Sequence, residues 1–187
     1  GSAKGWAGAF LYNPKAKEAL DNFYARPDTL SLGVCNGCQL MMELGLIESN
    51  GKTQPMAHNQ SGKFESTYLT VEVPQNNSVM LKTLAGSKLG IWVAHGEGRF
   101  LFDGTESDYN IIMNYANSSY PANPNGSEFN TAGICSNDGR HLAMMPHLER
   151  TIFPWQTGFY ESSRKEDDVT PWFEAFVNAK KWVEEKS

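Results

Sequence analysis

The sequence has little of what membrane, secreted or nucleic-acid-binding proteins need. Its apolar residues never run to the length of about 18 that a membrane-spanning helix requires, and no signal-peptide pattern opens the chain. The 16 basic residues are scattered and the formal net charge is −5, so no basic surface for nucleic acid is expected. These absences predict a soluble, cytoplasmic protein with neither a nucleic-acid nor a membrane partner.

Cysteine is also scarce. The chain has 3 cysteines, an odd number, and Cys35 and Cys38 are only three positions apart, which does not suit a secreted disulfide framework. A zinc site is disfavoured as well, because Cys135 stands alone and the 4 histidines are dispersed. We therefore predict a reduced setting and no metal site in this domain.

The length and apolar content of the chain are sufficient for one hydrophobic core. The 187 residues are 40% apolar and 12% aromatic, which is typical of a single domain. A helix is predicted from Asn13-Pro14 to the residues before Pro27, where a cap and a first-turn proline precede apolar residues at helical spacing. A second helix is predicted to begin at Thr170-Pro171, with one face packed on a sheet: Phe173, Phe176, Val177 and Val183.

Strand signals lie between these helices. Short apolar or alternating runs predict strands at 29–34, 67–73, 89–94 and 111–115. Residues 132–135 and 140–145 flank Asn137-Asp138-Gly139, a strong turn signal, and are predicted to form a hairpin. Helices and strands therefore alternate along the chain, which favours an α/β layered fold.

Cys35 occupies a distinctive position, between Gly33 and Gly37 at a predicted turn from strand to helix. The amides and dipole at a helix start favour an anion, so a cysteine there is suited to act as a nucleophile. The two glycines would permit the strained backbone of a nucleophile elbow, and the amide of Asn36 would donate to an oxyanion. The alternatives are a buried structural cysteine, or a redox site formed by Cys35 and Cys38.

A cysteine nucleophile needs a base, which a third group usually orients. His147 follows a strand that Pro146 ends, and Glu149 lies two residues on, so that in extended backbone both side chains would point the same way. His95, in a glycine-rich segment, is the competing base and is assigned to substrate binding or loop shape. His58 and His141 are interpreted as structural or surface residues.

Several segments of the sequence resemble a known family. Gly33–Gln39, which reads GVCNGCQ, resembles the nucleophile motif of class I glutamine amidotransferases. Further segments resemble the same family in the same order, and together they span about residues 6–173: Asn59–Glu65, His95–Arg99, Tyr120–Ser127 and Met144–Arg150. They are most similar to the glutaminase part of the purine-biosynthesis synthases that form an amidine, in the long form that carries this part at its C-terminus.

The resemblance implies a flavodoxin-like, doubly wound sheet and one glutaminase domain over residues 1–187. It implies that Cys35 attacks glutamine and forms a glutamyl thioester, with His147 and Glu149 completing the triad. The implied substrate-binding residues are Asn36, Gln39, His95, Gly96 and Gly98. This domain would need no cofactor, and its ammonia would pass to an ATP- and magnesium-dependent synthetase domain that converts formylglycinamide ribonucleotide.

Two departures from the family pattern qualify these expectations. Leu148 stands where the family usually has proline, which could loosen the orientation of His147 and Glu149. In the family, initial strands and a glycine-rich turn with a second oxyanion donor precede the segment that resembles Gly1–Trp6. We therefore expect the N-terminal part of the domain to be missing and the chain alone to have weak or no activity. A Cys-His-Glu hydrolase or peptidase on the same sheet is the alternative enzyme.

Overall fold

The computed structural model describes residues 2–47, 52–53 and 56–186, with the backbone alone for 52–53. The helices are α1 (Ser2–Tyr12), α2 (Pro14–Ala25), α3 (Asn36–Glu43) and α4 (Phe173–Lys186). The strands are β1 (Ser31–Val34), β2 (Lys52–Thr53), β3 (Ala57–His58), β4 (Glu65–Glu72), β5 (Lys88–His95), β6 (Glu97–Arg99), β7 (Phe102–Asp103), β8 (Ile111–Tyr115), β9 (Thr131–Cys135) and β10 (His141–Met144).

Six strands form the main sheet in the order β1-β10-β9-β8-β4-β5. Strand β1 runs parallel to β10, with Ser31 opposite His141 and Val34 opposite Met144. The remaining neighbours in the sheet pair antiparallel, including the predicted hairpin of β9 and β10. Two small antiparallel ladders, β2 with β7 and β3 with β6, lie outside this sheet.

Helices cover both faces of the sheet. Leu142 and Ala143 are adjacent in β10, so their side chains point to opposite faces, and each belongs to a different buried apolar cluster. Ala175 of α4 packs in the cluster of Leu142, whereas Met41 of α3 packs in the cluster of Ala143. The predicted α/β class, a sheet layered between helices, is confirmed.

The start of α2 follows from its sequence. The side chain of Asn13 accepts hydrogen bonds from the amides of Lys15 and Ala16, which have no partner within the helix. Pro14 occupies the first turn, where its missing N–H costs nothing, and the helix ends at Ala25, before Pro27. The predicted helix is confirmed at both ends.

The predicted packing face of α4 is wrong for Phe173, Phe176 and Val183, whereas Val177 is half-buried. Phe173, Phe176 and Val183 are 41%, 36% and 44% exposed, whereas Ala175 and Asn178 are buried. The reason lies one residue before the helix, where the indole of Trp172 fills the core and donates to the carbonyl of Gly90. Ala175 lies three residues after Trp172 and Asn178 three residues after Ala175, a spacing at which helical side chains are neighbours.

The sheet curls so that its two outer strands meet. Strands β1 and β5 are at opposite ends of the strand order, yet Cys35, just after β1, contacts the carbonyl of Ala94 in β5. The segment after β10 crosses to the same strand, where the amide of His147 donates to the carbonyl of Trp92 at 2.8 Å. Among the described residues, no helix is both long and apolar enough to cross a membrane.

Candidate active site

Cys35 lies on a strained turn between β1 and α3. Its backbone has φ 51° and ψ −104°, a conformation that residues with a side chain rarely adopt. Two hydrogen bonds fix it: the amide of Cys35 donates to the carbonyl of Met144, and the carbonyl of Cys35 accepts from the amide of Gln39. The predicted elbow is therefore present, with its strain on the cysteine itself.

Close packing requires glycine at position 33 but not at position 37. A Cβ on Gly33 would lie 2.7 Å from the carbonyl oxygen of Gly37, because the first turn of α3 packs directly on the strand. A Cβ on Gly37 would have no neighbour within 4 Å. The prediction that both glycines permit the strained backbone is wrong for Gly37, which lies inside α3.

The histidine predicted as base lies beside the cysteine. Burial alone would lower the pKa of His147, but its contact with Cys35 and then its contact with Glu149 raise that pKa to about 9. Nε2 of His147 is nevertheless buried without an aligned hydrogen-bond partner, since the Cys35 thiol points to the carbonyl of Ala94 at 3.6 Å. The two side chains are close enough to act on each other without forming a well-aligned hydrogen bond.

Glu149 orients the imidazole. Its Oε1 lies 2.6 Å from Nδ1 of His147. Burial alone would raise the pKa of Glu149, but the hydrogen bond with His147 lowers it below the usual range, so the carboxylate is charged at neutral pH. This pairing fixes the proton on Nδ1 and leaves Nε2 facing the thiol side of the site.

The backbone between His147 and Glu149 does not have the predicted extended conformation. Residues Leu148–Arg150 form a short 3₁₀ turn, with His147 at its start, so the backbone between the two groups is not extended. Leu148 is fully buried in the core and anchors this turn. Leucine at position 148, where the family usually has proline, is therefore compatible with the close contact between His147 and Glu149.

The predicted substrate-binding residues lie around this site. The side chain of Asn36 accepts from the hydroxyl of Ser2 in α1 at 2.8 Å, and its amide is in the first turn of α3, where helical amides have no partner in the helix. The amide group of Gln39 donates to the carbonyl of Glu97, so α3 is joined to the segment after β5. The structure thus joins Gln39 to the glycine-rich segment, with Asn36 at the start of the same helix.

In that segment, the close approach is at Gly98. A Cβ there would lie 2.8 Å from Nδ1 of His95 and 2.8 Å from the Met145 side chain. A Cβ on Gly96 would meet nothing nearer than 3.7 Å, so no side-chain clash requires glycine there. His95 is buried, and His58, by contrast, is exposed and 3.8 Å from Glu97.

The other cysteines are unlike Cys35. Cys38 is fully buried. Burial raises the pKa of its thiol, and the nearby Cys35 raises it further. Cys135 is also fully buried, and burial raises its pKa to about 11. Within residues 2–47, 52–53 and 56–186, no three His, Cys, Asp or Glu side chains are grouped to hold a metal ion. Cys35 is the partly exposed thiol of the three.

Shape alone would not have identified this site. A cavity of about 340 Å³ lies against β4 and β5, lined by Tyr68, Trp172 and Arg164 among others, and one of about 370 Å³ lies beside Tyr120 and Gln60. Neither is lined by Cys35. The chemistry of the elbow, rather than concavity, defines the candidate site.

Comparisons with known proteins identify the family of this chain. Residues 1–183 match the family described as the CobB/CobQ-like glutamine amidotransferase domain. The chain belongs to that family, and the resemblance inferred from its motifs is confirmed.

Individual relatives are similar over nearly the whole chain. A probable phosphoribosylformylglycinamidine synthase, chloroplastic/mitochondrial, of Arabidopsis thaliana is 43% identical over 98% of this chain and 14% of its own length. The phosphoribosylformylglycinamidine synthase of Homo sapiens is 41% identical over 100% of this chain and 16% of its own length. The chain therefore spans about a seventh of the length of these relatives.

A solved structure is also similar. The structure of PurLQS from Thermotoga maritima matches with a TM-score of 0.62 and 25% identity, over 88% of this chain and 66% of that chain. The similarity of fold therefore accompanies the similarity of sequence.

Sequence reasoning did not single out two buried asparagines in the segments that resemble the family. Asn59 contacts His95, and Asn125 donates to the carbonyl of Gly98 at 2.6 Å. Both occur in polar, turn-like stretches, which by composition read as surface loops. Only their burial and contacts identify them as supports of the site.

Proposed function

We propose that this domain hydrolyses glutamine through Cys35. The Cys35 thiol gives its proton to His147 and its sulfur attacks the side-chain amide carbon of glutamine; His147 passes that proton to the nitrogen as the carbon–nitrogen bond breaks and ammonia leaves. Water then attacks the resulting glutamyl thioester, releasing glutamate and restoring the thiol. The observation that carries this proposal is the strained elbow that presents Cys35 beside the His147–Glu149 pair.

The raised pKa of His147 refines the role of this residue. With a pKa of about 9, the imidazole is protonated at neutral pH, so its first task is to stabilise a thiolate as a cation. Its next task is to protonate the departing nitrogen as a general acid. Glu149 keeps the ring oriented and stabilises its charge, as the carboxylate does in other triads.

The start of α3 supports the same chemistry. The tetrahedral intermediate carries an oxyanion, which a free amide at a helix start stabilises. The amide of Asn36 follows Cys35 directly and is in that position. Gln39 and the segment His95–Gly98 would border the glutamine, with Gly98 keeping the segment close to the ring of His95.

For the whole protein, we propose a phosphoribosylformylglycinamidine synthase, because the relatives that match along this chain carry that name. The ammonia would then go to a synthetase domain that binds ATP, magnesium and formylglycinamide ribonucleotide and forms the amidine of purine biosynthesis. A cytoplasmic location stays a prediction from the sequence.

The test is active-site labelling of the intact protein that contains this chain. An electrophilic analogue of glutamine should alkylate Cys35 and leave Cys38 and Cys135 unlabelled, as peptide mass spectrometry would show. Cys35→Ser should abolish both the labelling and glutamate release. Cys135→Ser, a change in a fully buried cysteine, is the matched control and should retain both. Glutamate release that persists in Cys35→Ser would refute the proposal.

A further inference from the structure

Asn59 is a buried polar residue beside the candidate site. It is 3% exposed and lies just after β3. Its side-chain amide donates to the carbonyl of His95 at 2.7 Å and to that of Lys63 at 2.9 Å. Its backbone amide donates to the carbonyl of Gly96 at 2.9 Å. One asparagine thus holds both residues that follow Ala94 in the chain.

The same asparagine decides where the proton of His95 sits. Both hydrogens of the Asn59 amide group are used, so the contact of 3.2 Å between Oδ1 of Asn59 and Nδ1 of His95 requires the ring to donate. Nε2 of His95 therefore keeps its lone pair. That atom is buried and has no hydrogen-bond partner among the described residues.

His95 also stays uncharged. Burial, and after it the nearby His147, lower the pKa of His95 to about 4, while the backbone contact and Glu65 act less strongly in the opposite direction. At neutral pH the ring can therefore only accept a hydrogen bond through Nε2. It differs in this respect from His147, which is protonated at the same pH.

The ring lies beside the candidate site, near enough to His147 for that residue to lower its pKa. Ala94, the residue before it, has its carbonyl 3.6 Å from Sγ of Cys35. Glu97, two residues after it, accepts from Gln39. Gly98 leaves no room between the ring and the backbone, since a Cβ there would be 2.8 Å from Nδ1. Asn59 and Gly98 thus both lie close to Nδ1 of the ring.

We propose that Asn59 is a positioning residue that holds His95 as a hydrogen-bond acceptor for an N–H group of the bound substrate. This rests on the proposed function, in which the ligand is glutamine, whose ammonium and carboxamide groups both present N–H donors. A buried acceptor without a partner in the protein favours a ligand that supplies the missing donor.

The test measures glutamine kinetics in the intact protein with Asn59→Leu. We expect KM for glutamine to rise about 10- to 100-fold, as for a lost hydrogen bond to a charged or buried group, with a smaller change in kcat. Alkylation of Cys35 by the glutamine analogue should slow, whereas modification by methyl methanethiosulfonate, a thiol reagent with no N–H group, should not. A purely structural role would slow both reagents equally.

A second variant covers the case in which Asn59→Leu fails to fold. Asn59→Asp keeps an acceptor for Nδ1 of His95 but adds a carboxylate, which favours the protonated ring beside His147 and Glu65. Its KM for glutamine should therefore rise toward low pH, because a protonated Nε2 cannot accept. Asn178→Leu is the matched control: that buried asparagine donates to Met80 and Thr83 far from Cys35, so its loss should lower stability and leave KM unchanged.

Three results would overturn the inference: an unchanged KM in folded Asn59→Leu, equal slowing of both reagents, or a KM of Asn59→Asp that does not vary with pH. Each is distinct from failure of the proposed function, which would appear as glutamate release by Cys35→Ser. If Cys35→Ser is inactive and Asn59→Leu binds glutamine normally, only the role of Asn59 is refuted.

Discussion

The parallel strands β1 and β10 have a buried histidine at each end of the pair, and the two ends differ in what the imidazole contacts. At the amino ends, Nδ1 of His141 lies 2.8 Å from the hydroxyl of Ser31, which in turn lies 3.2 Å from that of Tyr24. Beyond the carboxyl ends, Nδ1 of His147 lies 2.6 Å from a carboxylate, that of Glu149. In both histidines Nε2 is buried without a hydrogen-bond partner in the described residues.

Burial has the same direction of effect on the pKa of both rings, and their contacts make the two differ. Burial lowers the pKa of both histidines, and at His141 the charge of Arg140 lowers it further, with only a weak opposing effect of Asp138. At His147 the contacts with Cys35 and Glu149 exceed the effect of burial and raise the pKa to about 9. One end therefore carries a neutral structural ring, and the other carries a cation next to a thiol.

The sharpest test of this comparison is to remove each imidazole in turn. His147→Ala should lower kcat for glutamine hydrolysis by about 10²- to 10⁴-fold, as expected for a lost acid–base group. His141→Ala should lower the free energy of unfolding by about 1–3 kcal/mol, because the hydroxyl of Ser31 loses one of its two partners, and leave kcat nearly unchanged. Steady-state kinetics and denaturant unfolding measure the two effects. Equal losses of kcat in both variants would remove the distinction.

The elbow end of β1 offers a second paired test. Gly33→Ala places a methyl group 2.7 Å from the carbonyl of Gly37, so we expect it to lower the free energy of unfolding by about 1–3 kcal/mol and to reduce labelling of Cys35. Gly37→Ala has open space in a helix and should raise the free energy of unfolding by about 0.5–1 kcal/mol. Thermal unfolding distinguishes them, and the reverse order of stability would contradict the packing described for this turn.

Much of this arrangement could be predicted from local patterns. The cap at Asn13, the hairpin around Asn137–Gly139 and the elbow at Cys35 each depend on a few adjacent residues, and the structure has all three. The partnership of Cys35 with His147 was predicted from chemical need and family resemblance. Its geometry depends on the curl of the sheet, which brings β1 and β5 together and has no local signal.

The errors have the same origin. The outward stripe of α4 is apolar at helical spacing, so periodicity favoured it, but Trp172 lies outside the helix and sets its rotation. Asn59 looks like a loop residue until its burial and its contacts with His95 are known. Properties that depend on distant packing, such as the face a helix buries or the tautomer of a ring, are not encoded in a short window.

The smallest expected effect is the pH dependence of stability, which separates the two ends by sign. Since the folded-state pKa of His147 is raised from 6.5 to about 9, its contribution is complete below 6.5 and is lost as pH rises toward 9. The pKa of His141 is lowered from 6.5, so its contribution is present above that value and is lost as pH falls.

Glu149→Gln should flatten the alkaline decline by on the order of 1 kcal/mol, a small effect because the carboxylate is 45% exposed. His141→Gln should flatten part of the acid decline, with His95, whose pKa is about 4, maintaining the rest. Denaturant unfolding across this pH range measures both, and if the two variants altered the same limb of the curve, the assignment of a charged ring to one end and a neutral ring to the other would be wrong.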